Sequence, residues 1–394
     1  MKKYISKYIL LLFTIVIYSC HLKAQDVETI PEWKSLYNSL IEDYRSRDKD
    51  GVDFYASKIF ASKSVHDSLR VTTAAIVASL EENEEDAFRY LDLNEEKLST
   101  SKKDKNLLGW NYFYKGSWCF NNSYDKKALN YYYKADSVFA SINRKSFMSV
   151  MTKVGISDVL MKSGFNEDSL IRKQILLHLE EGLRISDSLN HRVPKAIFLY
   201  KKGILYFEKG DLEKSESFYR EALDISDELD NDVRRAMIFN RLTKIFLKRN
   251  ALDSAIIYQE KAVAKAEKTT NFRIISEVNL ELGVLYKNIQ KYDDAIRHLD
   301  YAHELLEKSE SARKDSYHDI EYNLAQAYFG KNEFKKGYLH LKSAKNIMQE
   351  VQEIRNTERV EEIEAKYQNE KKEQEITLLK SENQLVEQEK TNQR

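Results

Sequence analysis

The sequence predicts an all-α solenoid of about eight helix pairs, and three observations support this fold class. A small residue returns about every 40 positions along most of the chain. The 394 residues include only 11 Gly and 2 Pro, so few residues would interrupt a helix. Apolar residues make up 42% of the chain, as expected for a thin stack of helices that exposes much of its surface. Such a stack grows by adding units, so its length does not require several separate cores.

The repeat is carried first by its small residues, which are Ala135, Gly182, Ala222, Ala262, Ala302 and Ala344. Their successive spacings are 47, 40, 40, 40 and 42 residues. The last four units share further positions, and one unit shows them as Gly203, Tyr206, Leu212, Ser215, Tyr219 and Ala222. A period of this length indicates two-helix units, each of which buries its apolar face against the next unit.

The same positions carry a family resemblance. Each unit has a small residue, an aromatic residue three positions later and an Ala in its second helix. This pattern resembles the tetratricopeptide repeat. The turn segments, which are "EKGDLEKS", "KNIQKYDDA" and "GKNEFKKG", resemble it as well. The family's unit has about 34 residues, so a period of about 40 predicts helices that are longer by most of a turn each. The resemblance implies a right-handed α-solenoid that binds proteins or peptides.

The sequence pattern divides the chain into four parts. Residues 1–25 are predicted to be a signal peptide, 26–106 divergent N-terminal helix pairs that cap the array, 107–345 the tetratricopeptide-like array, and 346–394 one long charged helix. The last part contains no Gly or Pro, and Ile376, Leu379 and Val386 lie three and seven residues apart. This interrupted heptad pattern fits a coiled-coil homodimer as well as a solvated single helix, and the sequence leaves both open.

The N-terminal segment has the pattern of an export signal. Three lysines precede the apolar run Tyr8–Tyr18, which is too short for an ordinary membrane span. The motif "IYSC" resembles a bacterial lipoprotein signal, in which Cys20 would carry the lipid. The motif "LKA" before Gln25 resembles an ordinary cleavage site. Both alternatives predict an exported protein that is either periplasmic or membrane-anchored and facing the periplasm.

Charge and motif content argue against several functional classes. Lys and Arg together number 63, as do Asp and Glu, so the chain has no basic excess for nucleic acid. The sequence has no phosphate-binding loop and no H-E-x-x-H motif, and nothing singles out a nucleophile. We therefore expect a protein that is not an enzyme and uses no cofactor or metal. Cys119 is expected to be a packed core thiol, because no neighbouring cation would activate it.

The candidate binding residues follow from the resemblance. In the tetratricopeptide family the first helix of each unit lines the concave face, and its inward positions can be counted from the small residue. The resulting groove residues are Tyr200, Lys201, Asn240, Arg241, Lys244, Tyr322 and Asn323. Their amide, guanidinium and ammonium groups are suited to a peptide backbone or a carboxylate. The alternative is a mixed polar face that is simply solvated.

A second resemblance concerns the C-terminal segment. The sequence from Glu364 onward resembles the connector that follows tetratricopeptide arrays in Bacteroidetes sensor histidine kinases and LuxR-type regulators, without the membrane span and output domain that follow there. The expected function is a protein- or peptide-binding module of the bacterial envelope, in the sensing or scaffold part of a signalling system. The alternatives are a stand-alone lipoprotein scaffold in an envelope assembly and, more distantly, an enzyme with an unrecognised site.

Overall fold

The computed structural model describes residues 32–46, 48–62, 65–81, 83–101, 104–122, 124–142, 145–164, 169–308 and 314–353. The predicted signal peptide and Cys20 lie outside the described residues. The predicted seam through Ile376, Leu379 and Val386 also lies outside them. Those predictions therefore stay predictions.

The described residues form sixteen helices and no strand. They are α1 (Glu32–Ser46), α2 (Lys49–Ala61), α3 (Asp67–Leu80), α4 (Glu84–Ser99), α5 (Lys105–Asn121), α6 (Asp125–Ser141), α7 (Phe147–Gly164), α8 (Ser169–Ser188), α9 (Arg192–Glu208), α10 (Leu212–Glu228), α11 (Asp232–Lys248), α12 (Leu252–Ala266), α13 (Phe272–Asn288), α14 (Tyr292–Glu307), α15 (Lys314–Gly330) and α16, which is helical over 334–353. We call the odd-numbered helices A helices and the even-numbered ones B helices. Each A helix and the B helix after it form one pair, which confirms the predicted all-α architecture. None of the described helices has the length and apolar character needed to cross a membrane.

The 40-residue period arises from 17-residue helices joined by short turns. The helices α9, α10 and α11 each contain 17 residues. One residue in the left-handed conformation ends each of six helices, with φ between 47° and 80°, and these residues are Asn190, Gly210, Asp230, Asn250, Gln290 and Asn332. After each of them the next N–H returns to a carbonyl of the last helical turn; for example, the N–H of Asp211 donates to the carbonyl of Tyr206 at 3.0 Å. This hydrogen bond closes the helix and fixes where it stops.

Backbone contacts divide the chain into two units, which are described separately. The first unit contains the described residues through Val278, together with Lys308. The second unit contains Asn279–Glu307 and residues 314–353.

The small residues of the repeat lie where two helices approach each other most closely. Within a pair, Gly203 of α9 faces the ring of Tyr219 in α10, and a Cβ at Gly203 would lie 2.5 Å from Cδ1 of that ring. Between pairs, Gly182 of α8 faces the ring of Phe198 in α9 in the same manner. Both rings are buried, and so are the repeat's alanines, which are Ala135, Ala222, Ala262, Ala302 and Ala344. Small residues at Gly182 and Gly203 therefore allow the neighbouring helices to approach closely.

The apolar core follows these contacts in both units. In the first unit, Cys119 is fully buried in the largest apolar cluster, and this burial raises the pKa of its thiol to about 12. The prediction that Cys119 is a packed core thiol is confirmed. In the second unit, Leu299, Ala302 and Leu306 of α14 pack with Ile320 and Leu324 of α15.

Candidate ligand-binding face

A column of cationic side chains follows consecutive A helices of the first unit. It consists of Lys115, Lys153, Lys201 and Arg241, which lie on α5, α7, α9 and α11. Each lies one or two residues before the small or hydroxyl residue that marks its repeat, for example Lys201 before Gly203. The three lysines are buried and Arg241 is partly buried. We call these four residues the A-helix column.

Carboxylates neutralise the N-terminal half of the column. The Nζ of Lys115 lies 2.5 Å from Oδ1 of Asp92 and also pairs with Glu95, both on α4. The Nζ of Lys153 lies 2.8 Å from Asp136 on α6 and 2.7 Å from Glu181 on α8. Because an ammonium group is costly to bury without a counter-charge, these pairs explain how the lysines can lie inside the fold.

The C-terminal half of the column joins neighbouring A helices directly. Lys201 of α9 forms an ion pair with Asp158 of α7. The Nε of Arg241 in α11 donates to Oη of Tyr200 in α9 at 3.1 Å. Burial by itself would lower the pKa of Arg241, but Tyr200, Tyr219 and Glu277 together raise it above its ordinary value. Arg241 therefore keeps its charge although it is partly buried.

Asn240 lies beside the column and is incompletely satisfied. Its Nδ2 donates to Oε1 of Glu277 at a long 3.4 Å. Its Oδ1 is buried and accepts no hydrogen bond from any described residue, and the side chain as a whole is only 5% exposed. An unsatisfied buried acceptor costs about 1–3 kcal/mol. The position therefore favours an additional donor, which a bound molecule can supply.

The second unit holds a separate pair of predicted residues on α15. Tyr322 is exposed and its ring stacks on His318, with ring centroids 6.1 Å apart. The Oδ1 of Asn323 accepts from Nζ of Lys287 at 2.7 Å, and its Nδ2 donates to the carbonyl of Asp319 at 2.7 Å. Lys287 also donates to Gln326, and burial lowers its pKa. Asn323 is thus fixed by its own surroundings, whereas Tyr322 is accessible.

A second polar cluster of this unit joins its last three described helices. The buried carboxylate of Glu321 in α15 accepts from Nε2 of His303 in α14 at 3.3 Å and from Nδ1 of His340 in α16 at 3.0 Å. The hydrogen bond to Glu321 raises the pKa of His303. Burial alone would raise the pKa of Glu321, but His303, His340 and Ser343 bring it below its ordinary value. Among the described residues no group of three or more His, Cys, Asp or Glu side chains is placed to hold a metal ion.

Comparison with known proteins identifies the repeat in the segment that carries Asn240. Residues 195–268 match the model of the tetratricopeptide repeat family. These residues cover most of α9 and all of α10, α11 and α12. No curated protein matches the sequence.

Solved structures with tetratricopeptide-like folds resemble the chain over most of its length. A Rap protein in complex with competence and sporulation factor has a TM-score of 0.56 and 17% identity, and the match covers 85% of this chain and 92% of that one. The apo form of RapI has a TM-score of 0.52 and 15% identity, and the match covers 78% of this chain and 99% of that one. A signal transduction ATPase with a tetratricopeptide sensor from Pyrococcus horikoshii has a TM-score of 0.54 and 18% identity, and the match covers 70% of this chain and 41% of that one. At these identities the likeness shows the fold, which is an all-α, tetratricopeptide-like solenoid.

Five of the seven predicted groove residues lie on two adjacent A helices of the tetratricopeptide-like array. Tyr200 and Lys201 lie on α9, and Asn240, Arg241 and Lys244 on α11. Tyr200, Lys201 and Asn240 are more buried than a solvated groove requires. Their role in binding a ligand stays a prediction.

Sequence reasoning did not find the partners of these residues, although a signal was present. Asp158 precedes Lys201 by 43 residues, and Glu277 follows Asn240 by 37 residues. Both separations are close to one repeat. A search for polar residues of complementary type one repeat apart would have found both partners.

Proposed function

We propose that this chain is a non-enzymatic tetratricopeptide-type module that binds a peptide or an extended protein segment along α9 and α11. The match of 195–268 to a repeat family of protein-binding modules supports this function. So does the fold likeness to a Rap protein that was solved with competence and sporulation factor. The observation that carries the proposal is the unsatisfied Oδ1 of Asn240.

The chemistry around Asn240 favours an extended polypeptide. A backbone N–H of such a ligand would donate to Oδ1, which receives no hydrogen bond from the described residues. Arg241 lies next to it in sequence and stays charged, so a carboxylate or carbonyl of the same ligand would find a donor there. Lys201 is already neutralised by Asp158, so we expect it to hold the face together rather than to bind the ligand.

We also propose a cellular location and a role for the module, and both are supported by the sequence alone. The N-terminal pattern favours export to the bacterial envelope, as a periplasmic protein or as one anchored through a lipid on Cys20. The connector-like segment after Glu364 favours the sensing part of a signalling system, and a stand-alone envelope scaffold is the alternative. A ligand that alters the activity of a separate output protein would favour the sensor, whereas constitutive assembly would favour the scaffold.

Peptide selection tests the binding proposal. Peptides from a displayed random library would be selected on the full chain, and their affinity would then be measured by calorimetry for the wild type, Asn240→Ala and Asn288→Ala. Asn288 is an exposed asparagine at the end of α13 and serves as the control. We expect Asn240→Ala to weaken binding about tenfold, or about 1.4 kcal/mol. The thermal midpoint should change little, because Oδ1 has no hydrogen bond to lose and the bond from Nδ2 to Glu277 is long at 3.4 Å.

Two outcomes would contradict the proposal. The first is a set of selected peptides that bind wild type and Asn240→Ala equally well. The second is a library that yields no peptide enriched on wild type over Asn240→Ala. An equal loss of affinity in Asn288→Ala would place the binding site elsewhere on the array.

A further inference from the structure

One position of the A-helix column carries more negative than positive charge. The Nζ of Lys153 in α7 lies 2.8 Å from Asp136 of α6 and 2.7 Å from Glu181 of α8. Neither carboxylate pairs with another cation among the described residues. Two carboxylates therefore share one ammonium group, and one negative charge is left over. Both carboxylates are partly exposed, so a ligand in solution can reach this charge.

His178 of α8 adds a polar group without a partner. It lies one helical turn before Glu181 on the same side of α8, and the charges of Lys153, Asp136 and Glu181 all act on it. The side chain is only 8% exposed, and its Nδ1 is buried with no hydrogen-bond partner among the described residues. Burial lowers the pKa of His178, and Lys153 lowers it further, so the ring is neutral near pH 7. With the proton on Nε2, the neutral ring offers Nδ1 as an acceptor.

An accessible aromatic ring lies beside His178. Tyr133 of α6 is 38% exposed, and its ring centroid lies 5.9 Å from that of His178. Two carboxylates, a neutral acceptor and an aromatic face suit a guanidinium group, which has five N–H donors in one plane and stacks on aromatic rings. A metal ion fits less well, because the ammonium group of Lys153 already contacts both carboxylates. The name α7 cluster is used below for Tyr133, Asp136, Lys153, His178 and Glu181.

The α7 cluster lies in line with the proposed peptide site. Lys153, Lys201 and Arg241 each lie two residues before the residue that marks their repeat. Asp158 and Lys201 join α7 to α9, and Tyr200 and Arg241 join α9 to α11. Neighbouring helix axes are about 8–10 Å apart, so α7 and α11 are about 16–20 Å apart. About five to six residues of an extended peptide span that distance.

We propose that the α7 cluster binds an arginine side chain of the peptide ligand. The guanidinium group donates to the carboxylates of Asp136 and Glu181 and to Nδ1 of His178, and its plane stacks on Tyr133. It thus supplies the missing positive charge and the missing donor together. The inference rests on the proposed function, because it names a side chain of the peptide whose backbone binds Asn240. That arginine lies about five to six residues from the Asn240 contact.

The test compares an arginine with an uncharged analogue. Peptides of about seven residues, which reach from α11 to α7, are selected on the full chain. The arginine is then replaced by citrulline, which keeps the shape of the side chain but carries no charge. Calorimetry gives the affinities of both peptides for the wild type and for Glu181→Gln. In Glu181→Gln, Asp136 still neutralises Lys153, so the fold is kept while the surplus charge is lost.

The matched control is Glu95→Gln on α4. Glu95 shares Lys115 with Asp92, so that lysine also keeps one carboxylate in the variant. We expect citrulline to weaken binding to the wild type and to Glu95→Gln at least about tenfold, and binding to Glu181→Gln at most about twofold. If Glu181→Gln does not fold, Asp136→Asn replaces it, because Glu181 then neutralises Lys153.

The possible failures of the two proposals are distinguishable. Selected peptides without arginine, or a citrulline effect of equal size in the wild type and Glu181→Gln, would overturn the arginine site. The peptide function would still stand if Asn240→Ala weakened binding of those peptides. Peptides that bind Asn240→Ala as tightly as the wild type would overturn the proposed function itself. Free arginine that binds as tightly as the whole peptide would make the α7 cluster a small-molecule site, which also contradicts the inference.

Discussion

The close contact between Gly203 and Tyr219 predicts a measurable penalty for a single methyl group. In Gly203→Ala the added Cβ would lie 2.5 Å from Cδ1 and 2.8 Å from Cζ of the Tyr219 ring. Real carbon–carbon contacts are about 3.5–4.0 Å, and the ring is buried and cannot rotate away as a flexible chain end would. The helices α9 and α10 must therefore separate slightly, or the ring must leave its preferred rotamer.

Two opposing effects determine how much Gly203→Ala changes the free energy of unfolding. Overpacking of a well-packed contact costs about 1–3 kcal/mol. Replacing Gly by Ala inside a helix stabilises it by about 1 kcal/mol. The net change in the free energy of unfolding is then a loss of about 0–2 kcal/mol. A single variant measures only this small difference, so the two terms have to be separated.

A double-mutant cycle with Tyr219→Leu separates them. In the Tyr219→Leu background the ring is absent, so Gly203→Ala should be neutral or stabilising by up to about 1 kcal/mol. The coupling free energy between the two positions should be about 1–3 kcal/mol. The assay is urea unfolding followed by circular dichroism, with hydrogen exchange of α9 and α10 to show that the change is local. A Gly203→Ala effect that is the same in both backgrounds would refute the close contact and the repeat register on which it rests.

Three further predictions test other parts of the chain. Ala302→Leu should overpack the contact of α14 with its neighbours and lower stability by about 1–3 kcal/mol, and an unchanged urea midpoint would show that the register is wrong. The pKa of His303 is raised in the folded state, so its contribution to stability is complete below the ordinary pKa of 6.5 and is lost as pH rises through the higher folded pKa. The pKa of Glu321 is lowered in the folded state, so its contribution is complete above the ordinary pKa of 4.5 and is lost as pH falls through the lower folded pKa. After correction for the pH dependence of intrinsic exchange, the protection factors of amide hydrogens in the second unit should therefore be largest near pH 5–6, and His303→Gln should remove their decline toward pH 8. If Cys20 carries a lipid, Cys20→Ala should move the protein from the membrane to the soluble periplasmic fraction, and unchanged fractionation would favour cleavage before Gln25.

The architecture could be predicted from the sequence because a close helix contact tolerates few side chains. Gly182 and Ala302 must be small wherever the rest of the chain lies, so their spacing reveals the repeat without knowledge of their partners. Helix ends can also be predicted from the sequence, because residues such as Gly210 and Asn250 readily adopt the left-handed conformation.

The polar face could not be predicted to the same depth. Lys201 was expected to face a ligand, but its burial depends on Asp158, which lies 43 residues earlier in the chain. A charged residue on an A helix can face solvent, a ligand or an oppositely charged residue one repeat away. The same amino acid can serve in all three positions, so its identity does not distinguish them. The unsatisfied Oδ1 of Asn240 is likewise invisible in sequence, because it depends on which donors the neighbouring helices fail to supply.

The residues with left-handed backbone conformation that end the helices determine how such a chain can gain or lose repeat units in evolution. Asn190, Gly210, Asp230 and Asn250 follow one another at intervals of 20 residues. Duplication or deletion of a 40-residue block between two such turns would leave every later side chain on its original face. An insertion of one residue inside a helix would instead rotate the rest of that helix by about 100° and expose its apolar side. The turns thus mark the places where gene duplication and recombination can lengthen or shorten the array without disturbing the helices on either side.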